Sequence, residues 1–277
     1  MKIYKKIVFN LLVILIVSCK TENEINLEPR PAGKYLSEIW TKSKSGTKVD
    51  SVKDASFVYD SKRYLQKINY YDSTNTISFF FNFSYEQSGK FSSIKMFDSK
   101  NVLTRFDNFT YKGDSIMYRE EYTLESNKLT FQNKFMVLFD KPGRPVKMYM
   151  SGFKNLDYSL IAKTTNIDTI GIVFFFKFNN EGDLISFYDT TRLMPISSFF
   201  EYDDMKNPFN NIGIDNVHGT TSYPWHFYIN YIPKHNVTRL KYSDYSFFDF
   251  EIKYNGLYPV YEDCALPCYI YYFYKDL

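Results

Sequence analysis

The chain has 277 residues, with 34 basic against 31 acidic side chains and an aromatic fraction of 20% carried by 27 Phe, 26 Tyr and 2 Trp. Such a balance lacks the basic footprint of a nucleic-acid binder, so no nucleic-acid partner is expected. Aromatics at this level favour strands, where they fit a half-buried pleated surface.

The N-terminus comes first. Lys2, Lys5 and Lys6 precede an apolar stretch from Ile7 to Val17. That stretch is too short for a transmembrane helix, which needs about 20 residues. A basic start and a short apolar run form the pattern of a secretory signal peptide. The run ends in Ile16-Val17-Ser18-Cys19, which resembles the lipobox of bacterial lipoproteins. The resemblance implies cleavage before Cys19 and lipidation of its thiol and new amine, with residues 1–18 as the signal peptide. Each buried methylene contributes about 0.8 kcal/mol, so a multiply acylated Cys19 holds a protein on a membrane without a spanning segment. The membrane is therefore the first expected partner. Removing three signal lysines leaves 31 basic and 31 acidic side chains in the mature chain.

Residues 19–34 read as the lipidated cysteine and a polar tether broken by Pro31 and Gly33. As a flexible coil, some 15 residues reach on the order of 20 Å. Lys20-Thr21-Glu22-Asn23-Glu24 partly resembles the surface-export signal of Bacteroidetes-type lipoproteins, and a solvated linker explains the same residues equally well. Outer-membrane attachment is expected, with the periplasmic face and the cell surface both open.

From Lys34 onward, period-two alternation dominates, and residues 35–277 read as one domain. Ile77, Phe79, Phe81, Phe83 and Tyr85 share one face of a strand, opposite Ser78, Phe80, Asn82 and Ser84. Phe248, Phe250, Ile252 and Tyr254 alternate with Asp249, Glu251 and Lys253. Ile172 to Phe178 is apolar on both faces apart from Lys177, as a doubly covered strand would be. No window holds a helical period over three turns. The predicted fold class is all-β: an antiparallel meander, strongly curved or barrel-like, so that few edges stay open.

A turn module punctuates the strands: an aromatic residue, Asp, Asn or Glu, then polar residues or Gly. It occurs at Tyr59–Arg63, Tyr85–Lys90, Phe139–Arg144 and Phe178–Asp183, and more loosely at Tyr111–Asp114. Asp and Asn open such turns through their side chains, and Gly supplies positive φ. Successive spacings of 26, 26 and 28 residues between the first aromatics fit one hairpin plus its return.

Short tyrosine-aspartate turns between Lys-rich strands resemble the YD-type repeat lipoproteins of Bacteroidetes, some of them grouped as domains of unknown function with a porin-like, many-stranded sheet. Lys34–Ile39 resembles their opening strand and Tyr202–Phe209 their most recognisable segment. Asn236-Val237-Thr238 with Tyr254–Pro259 resembles their closing hairpin. The resemblance implies a fold and an envelope address, with no established activity.

Catalytic signatures are missing: there is no nucleophile elbow, zinc helix, phosphate loop or dinucleotide fingerprint. The expectation is a protein that is not an enzyme and carries no cofactor or metal. His218, His226 and His235 fall close together in sequence, in a Pro- and Gly-bearing region where unliganded histidines are commoner than ligands. Asp203/Asp204, Glu120/Glu121 and Glu262/Asp263 are adjacent carboxylates. Glycosidases need facing carboxyls about 5 to 9 Å apart, and strand neighbours point to opposite faces.

The aromatic residues are the better clue. Trp225 stands among Tyr223, Pro224, His226, Phe227 and Tyr228, and Trp40 lies on the first strand. Rings on an exposed face stack on sugars or grip a partner, since aromatics are enriched in interface cores. Trp225, Tyr223 and Tyr228 are the candidate contacts to an envelope protein or glycan. Cys264 and Cys268 form a candidate disulfide, a clip before the last strand. Asp50-Ser51-Val52, Asp114-Ser115-Ile116 and Asp168-Thr169-Ile170 resemble O-glycosylation acceptors of Bacteroidetes exported proteins. The functional expectation is a non-catalytic binding or structural lipoprotein of the cell envelope, with glycan binding or processing as the alternative.

Overall fold

Alternating side chains make strands whose two faces can be told apart by water, and here the strands join into one closed ring. The computed structural model describes residues 27–43, 51–141, 144–151, 172–189, 197–207, 209, 234–242, 246–263 and 268–277. Its strands are β1 (Lys34–Ser43), β2 (Ser51–Tyr59), β3 (Leu65–Tyr71), β4 (Ile77–Tyr85), β5 (Phe91–Asp98), β6 (Leu103–Lys112), β7 (Ile116–Glu125), β8 (Lys128–Lys141) and β9 (Arg144–Ser151). They continue with β10 (Ile172–Phe178), β11 (Leu184–Asp189), β12 (Ser197–Lys206), β13 (His235–Tyr242), β14 (Ser246–Asp249), β15 (Glu251–Asn255), β16 (Tyr258–Asp263) and β17 (Cys268–Asp276).

Apart from β14 and β15, each strand pairs antiparallel with its neighbours in the chain, and β1 pairs with β17 from Lys34↔Asp276 to Ser43↔Cys268. Strands β14 and β15 are one strand interrupted at Phe250, whose amide still donates to Thr238 O at 2.9 Å. Counted that way, the described residues form sixteen strands in a meander closed into a barrel, and the all-β expectation holds. Closure by the terminal strands removes the open edges on which other chains could pair.

The barrel has two ends. At the near end β1 begins and β17 finishes, tied by reciprocal bonds between Gly33 and Leu277. The recurrent turn appears at both ends. After β2, β4 and β10 it closes near-end hairpins at Asp60–Tyr64, Glu86–Lys90 and Asn179–Asp183; after β3 and β5 it closes far-end hairpins at Asp72–Thr76 and Asp98–Val102. Every copy has the same paired backbone bonds, and its fourth residue takes positive φ: Arg63 (68°), Asn75 (59°), Gly89 (79°), Asn101 (63°) and Gly182 (99°). The spacing of about 26 residues is thus the distance between turns on one end, two strands apart. Two copies, opening at Asp72 and Asp98, carry Asn rather than Gly at the strained position. The connection after Phe139 departs from the module, pairing Phe139↔Pro145 and Lys141↔Arg144.

Inside the ring lies a continuous core. Leu36, Ile39, Phe57, Ile68, Phe83, Phe109, Phe135, Phe174, Phe187, Phe200 and Tyr272 are all buried in one cluster drawn from strands around the barrel. The outward face is different. Lys67, Asn82 and Lys95 form one lateral row in register, and Asn108, Glu120 and Lys134 form another. A lysine at a bilayer midplane costs about 2–4 kcal/mol on a barrel's lipid face. This wall suits water rather than hydrocarbon.

Strand β10 corrects one expectation. It is covered on both faces only at Val173, 1% exposed, which packs outside the barrel against Ile116, Tyr118, Leu138 and Tyr149. Phe175 on the same outward face is 38% exposed, with Lys147 Nζ 4.8 Å from its ring centre. A barrel strand has only one core to face, so its outer apolar residues stay partly wet.

Candidate functional site

Several groupings of polar or aromatic side chains stand out, in the interior, at the near end and on the outer wall. The first sits inside the barrel on β6, β7 and β8. Arg119, wholly buried, donates from Nε and Nη2 to Asp107 Oδ1 at 3.2 and 3.0 Å. Arg105 Nε donates to Asp107 Oδ2 at 3.2 Å, and its Nη2 lies 3.2 Å from Glu121 Oε1. Asn133 Nδ2 completes the chain on Glu121 Oε2 at 3.2 Å. Arg119 also lies over the rings of Phe135 and Phe109, at 5.2 and 5.9 Å. Two cations and two anions cancel, and a hydrogen-bonded buried pair is the arrangement that offsets the cost of desolvating charge.

A second interior carboxyl is less well served. Glu262 on β16 is 6% exposed and accepts from Tyr272 Oη at 2.6 Å, while its other oxygen has no hydrogen-bond partner among the described residues. Burial pushes its carboxyl up to about 7, against the lowering effect of the Tyr272 hydroxyl. The neighbouring Asp263 pairs outward with Tyr269, and Glu120 points outward to Lys134 while Glu121 points inward. The adjacent carboxylates therefore diverge, as strand geometry requires.

The near end holds a knot around two carboxylates, Asp183, which is buried, and Asp203 on β12, which is half-buried. Asp183 Oδ1 accepts the amides of Lys234 and His235 at 2.8 and 3.2 Å, and Oδ2 lies 2.7 Å from His235 Nδ1. Asp203 Oδ1 accepts the amides of Met205 and Asn236 at 3.0 and 3.1 Å, and Oδ2 accepts the Tyr254 hydroxyl. Asn236 Nδ2 then donates to the carbonyls of Met205 and Lys206, both at 3.2 Å. The segments 202–209, 236–238 and 254–259, singled out by resemblance, thus meet in one network. Glu181, Asp183 and His235 bring ligand atoms within 4.8 Å of one another, a set that could hold a cation. The Asp183 oxygens are already occupied by two amides and the imidazole, so the arrangement works as a clamp on the start of β13.

The end of the tether is seated here too. Leu27, only 8% exposed, joins the core cluster, and Arg30 lies over the rings of Tyr64 and Tyr85 at 4.6 and 6.0 Å. Arg30 donates its amide to Lys62 O at 2.9 Å, and Arg63 Nη1 donates to Arg30 O at 2.6 Å.

On the outer wall, where the terminal strands close the ring, five aromatic side chains form a platform. Register places Lys253, Tyr261, Tyr271, Trp40 and Lys53 in one lateral row across β15, β16, β17, β1 and β2. Phe273 and Tyr269 flank Tyr271 along β17. Tyr261 meets Tyr271 at 5.4 Å and Tyr269 at 5.3 Å, and Trp40 meets Phe273 edge-on at 6.4 Å. The Trp40 indole donates to Glu38 Oε2 at 2.8 Å, which fixes its ring, and Glu38 is paired in turn with Lys53. Phe273 is 48% exposed.

Of the residues favoured by sequence, Cys19, Tyr223, Trp225, Tyr228, His218, His226 and Cys264 lie outside the described residues, and Cys268 opens β17. Ser115 and Asp114 are exposed in the β6–β7 turn. Sequence reasoning missed the interior Arg105, Asp107 and Arg119. It also passed over the row through Tyr261 and Tyr271, although Tyr269–Tyr274 is aromatic on both faces.

These features define an antiparallel β-barrel with a packed apolar interior and charged rows on its outer wall. No protein-family model and no curated protein matches the sequence. Among solved structures, the chain is similar to a porin-like protein from Bacteroides uniformis ATCC 8492, at 12% identity over 88% of this chain and 99% of that one, with a TM-score of 0.41. It is also similar to a porin-like protein from Bacteroides vulgatus ATCC 8482, at 11% identity over 88% and 100% of the two chains, with a TM-score of 0.35.

Proposed function

We propose that the protein is a lipoprotein of the cell envelope, held at the outer membrane by an acylated Cys19, and that its barrel is a non-catalytic binding module. The observation that carries this reading is the seating of Leu27 in the near end of the core. Leu27 lies eight residues beyond Cys19. Fully extended, eight residues span at most roughly 29 Å, so the anchor keeps the barrel's near end close to the membrane. The charged outer wall then stays in water, and the barrel stands on the membrane instead of crossing it.

Support for binding over catalysis comes from where the polar chemistry lies. Arg119, Asp107, Asp183 and Asp203 are committed to internal partners, whereas the rings of Trp40 and Phe273 face outward. The test is fractionation of cells making the wild-type chain and Cys19→Ala. Wild type should enter the outer-membrane fraction and take up labelled palmitate, and the variant should do neither. Palmitate-free wild-type protein in the soluble fraction would refute the anchor.

A further inference from the structure

We infer that the aromatic platform on β16, β17 and β1 is a stacking site for a short stretch of neutral glycan. The inference rests on the reading of the barrel as a binder and names what the binder takes.

Size argues first. From Tyr261 to Trp40 the row crosses two strand spacings, about 10 Å, and from Tyr269 to Phe273 it covers about 13 Å. That footprint is on the order of 150 Å², far below the roughly 800 Å² per partner of a stable protein interface. A few sugar rings match it; a folded partner does not.

Chemistry argues second. An aromatic face carries the negative lobe of its quadrupole, which attracts the weakly positive C–H face of a pyranose. The rim supplies groups for the hydroxyls. Lys253 and Glu251 have side chains 65% and 70% exposed, and Glu38 and Lys53 stand at the other end of the row. Lys42 and Asp263 pair with Tyr269 from the two neighbouring strands. Three cations face three anions around the rings, so the site has no net charge with which to select an acidic polymer. Preorganisation argues third. Trp40 is held by its bond to Glu38 and its edge contact with Phe273, so little side-chain freedom is lost when a ring lands on it.

The test uses the mature acylated chain in detergent and isothermal titration with cellohexaose, laminarihexaose, xylohexaose and mannohexaose, and with an oligogalacturonate as the acidic comparator. At least one neutral hexasaccharide should bind. Trp40→Ala and Phe273→Ala should each weaken it about tenfold, a change of about 1.4 kcal/mol. Phe175→Ala, an exposed ring on another part of the wall, should bind like wild type, and all variants should melt within a few degrees of it. Absence of saturation with every neutral sugar overturns the inference, as does stronger binding of the oligogalacturonate. Binding that survives both platform variants also overturns it while leaving the protein a binder. Release of new reducing ends during titration would instead overturn the non-catalytic reading.

Discussion

Replacing Glu262 by glutamine should stabilise the barrel at alkaline pH and do little of the kind at acid pH. Glu262 is buried against Tyr272, and its pKa rises from 4.5 to about 7 in the fold. Below about pH 4.5 the carboxyl is protonated both folded and unfolded, and it adds no pH-dependent term. Between 4.5 and 7 the folded state keeps a proton that the unfolded state has released, so stability falls as pH rises. Above 7 the fold carries the full cost of a buried charge. A rise from 4.5 to about 7 corresponds to roughly 3 kcal/mol, most of which falls between about pH 5 and pH 8.5. The substituted amide would retain an acceptor for the Tyr272 hydroxyl and bury an NH2 group in place of the bare oxygen, an offset that does not vary with pH. Urea unfolding of both proteins at the two pH values, followed by tryptophan fluorescence, isolates the pH-dependent part because all other groups cancel. The Glu262→Gln variant should gain roughly 2–3 kcal/mol on wild type between the two conditions. A difference that is the same at both pH values would show that Glu262 is not buried as described.

Other perturbations test the interior and the turns. Arg119→Met should cost about 3–5 kcal/mol by leaving Asp107 short of a partner, and adding Asp107→Leu should recover part of it; a double variant less stable than the single one would refute the pairing. Asp203→Ala removes the acceptor of two amides, the Asn236 amide group and the Tyr254 hydroxyl, and should cost roughly 3 kcal/mol in urea unfolding. Gly89 and Gly113 both have positive φ, +79° and +62°, but an added Cβ at Gly89 would lie 2.8 Å from Tyr64 Oη, while nothing stands within 4 Å at Gly113. Gly113→Ala should therefore cost about 1 kcal/mol and Gly89→Ala clearly more, read as the larger drop in Tm.

The fold was legible in the sequence because its signals are local. Alternation at Ile77–Tyr85 reports which side chains face the core, and Tyr-Asp or Phe-Asn followed by polar residues reports where the strands reverse. Tyr71-Asp72 and Phe97-Asp98 open two further copies that the sequence reading passed over, with Asn75 and Asn101 at the positive-φ position, which Asn tolerates. Interior charges were hidden for a different reason. Arg105, Asp107, Arg119 and Glu121 occupy inward positions on β6 and β7, and their alternation with outward Phe106, Asn108, Glu120 and Tyr122 yields no apolar face on either side. Only the register Phe109↔Arg119 and Asp107↔Glu121 brings the charges together, and register is a property of two strands at once. The platform is similarly non-local, since Trp40 and Tyr271 are joined by closure of the first strand on the last.

The same closure explains the composition. A sixteen-stranded barrel of ordinary side chains leaves a water-filled lumen, as in porins. Filling so wide a ring requires long, bulky inward residues, and Phe57, Phe83, Phe91, Phe109, Phe135, Phe174, Phe176, Phe187, Phe200 and Tyr272 supply them. Arginine is the longest of the charged side chains, and Arg119 reaches into this interior between Phe109 and Phe135 while Asp107 neutralises it. High aromatic content is thus first a means of filling the lumen. Rings that point outward need a separate reason, because they fill nothing. On the wall around Val173, Tyr118 and Tyr149 pack against Met136 and Val173, and Lys147 Nζ lies 4.7 Å from the Tyr149 ring centre. At the seam of β16, β17 and β1 they stand in a row with Phe273 half open to water, and that is where a ligand would find surface the fold does not use.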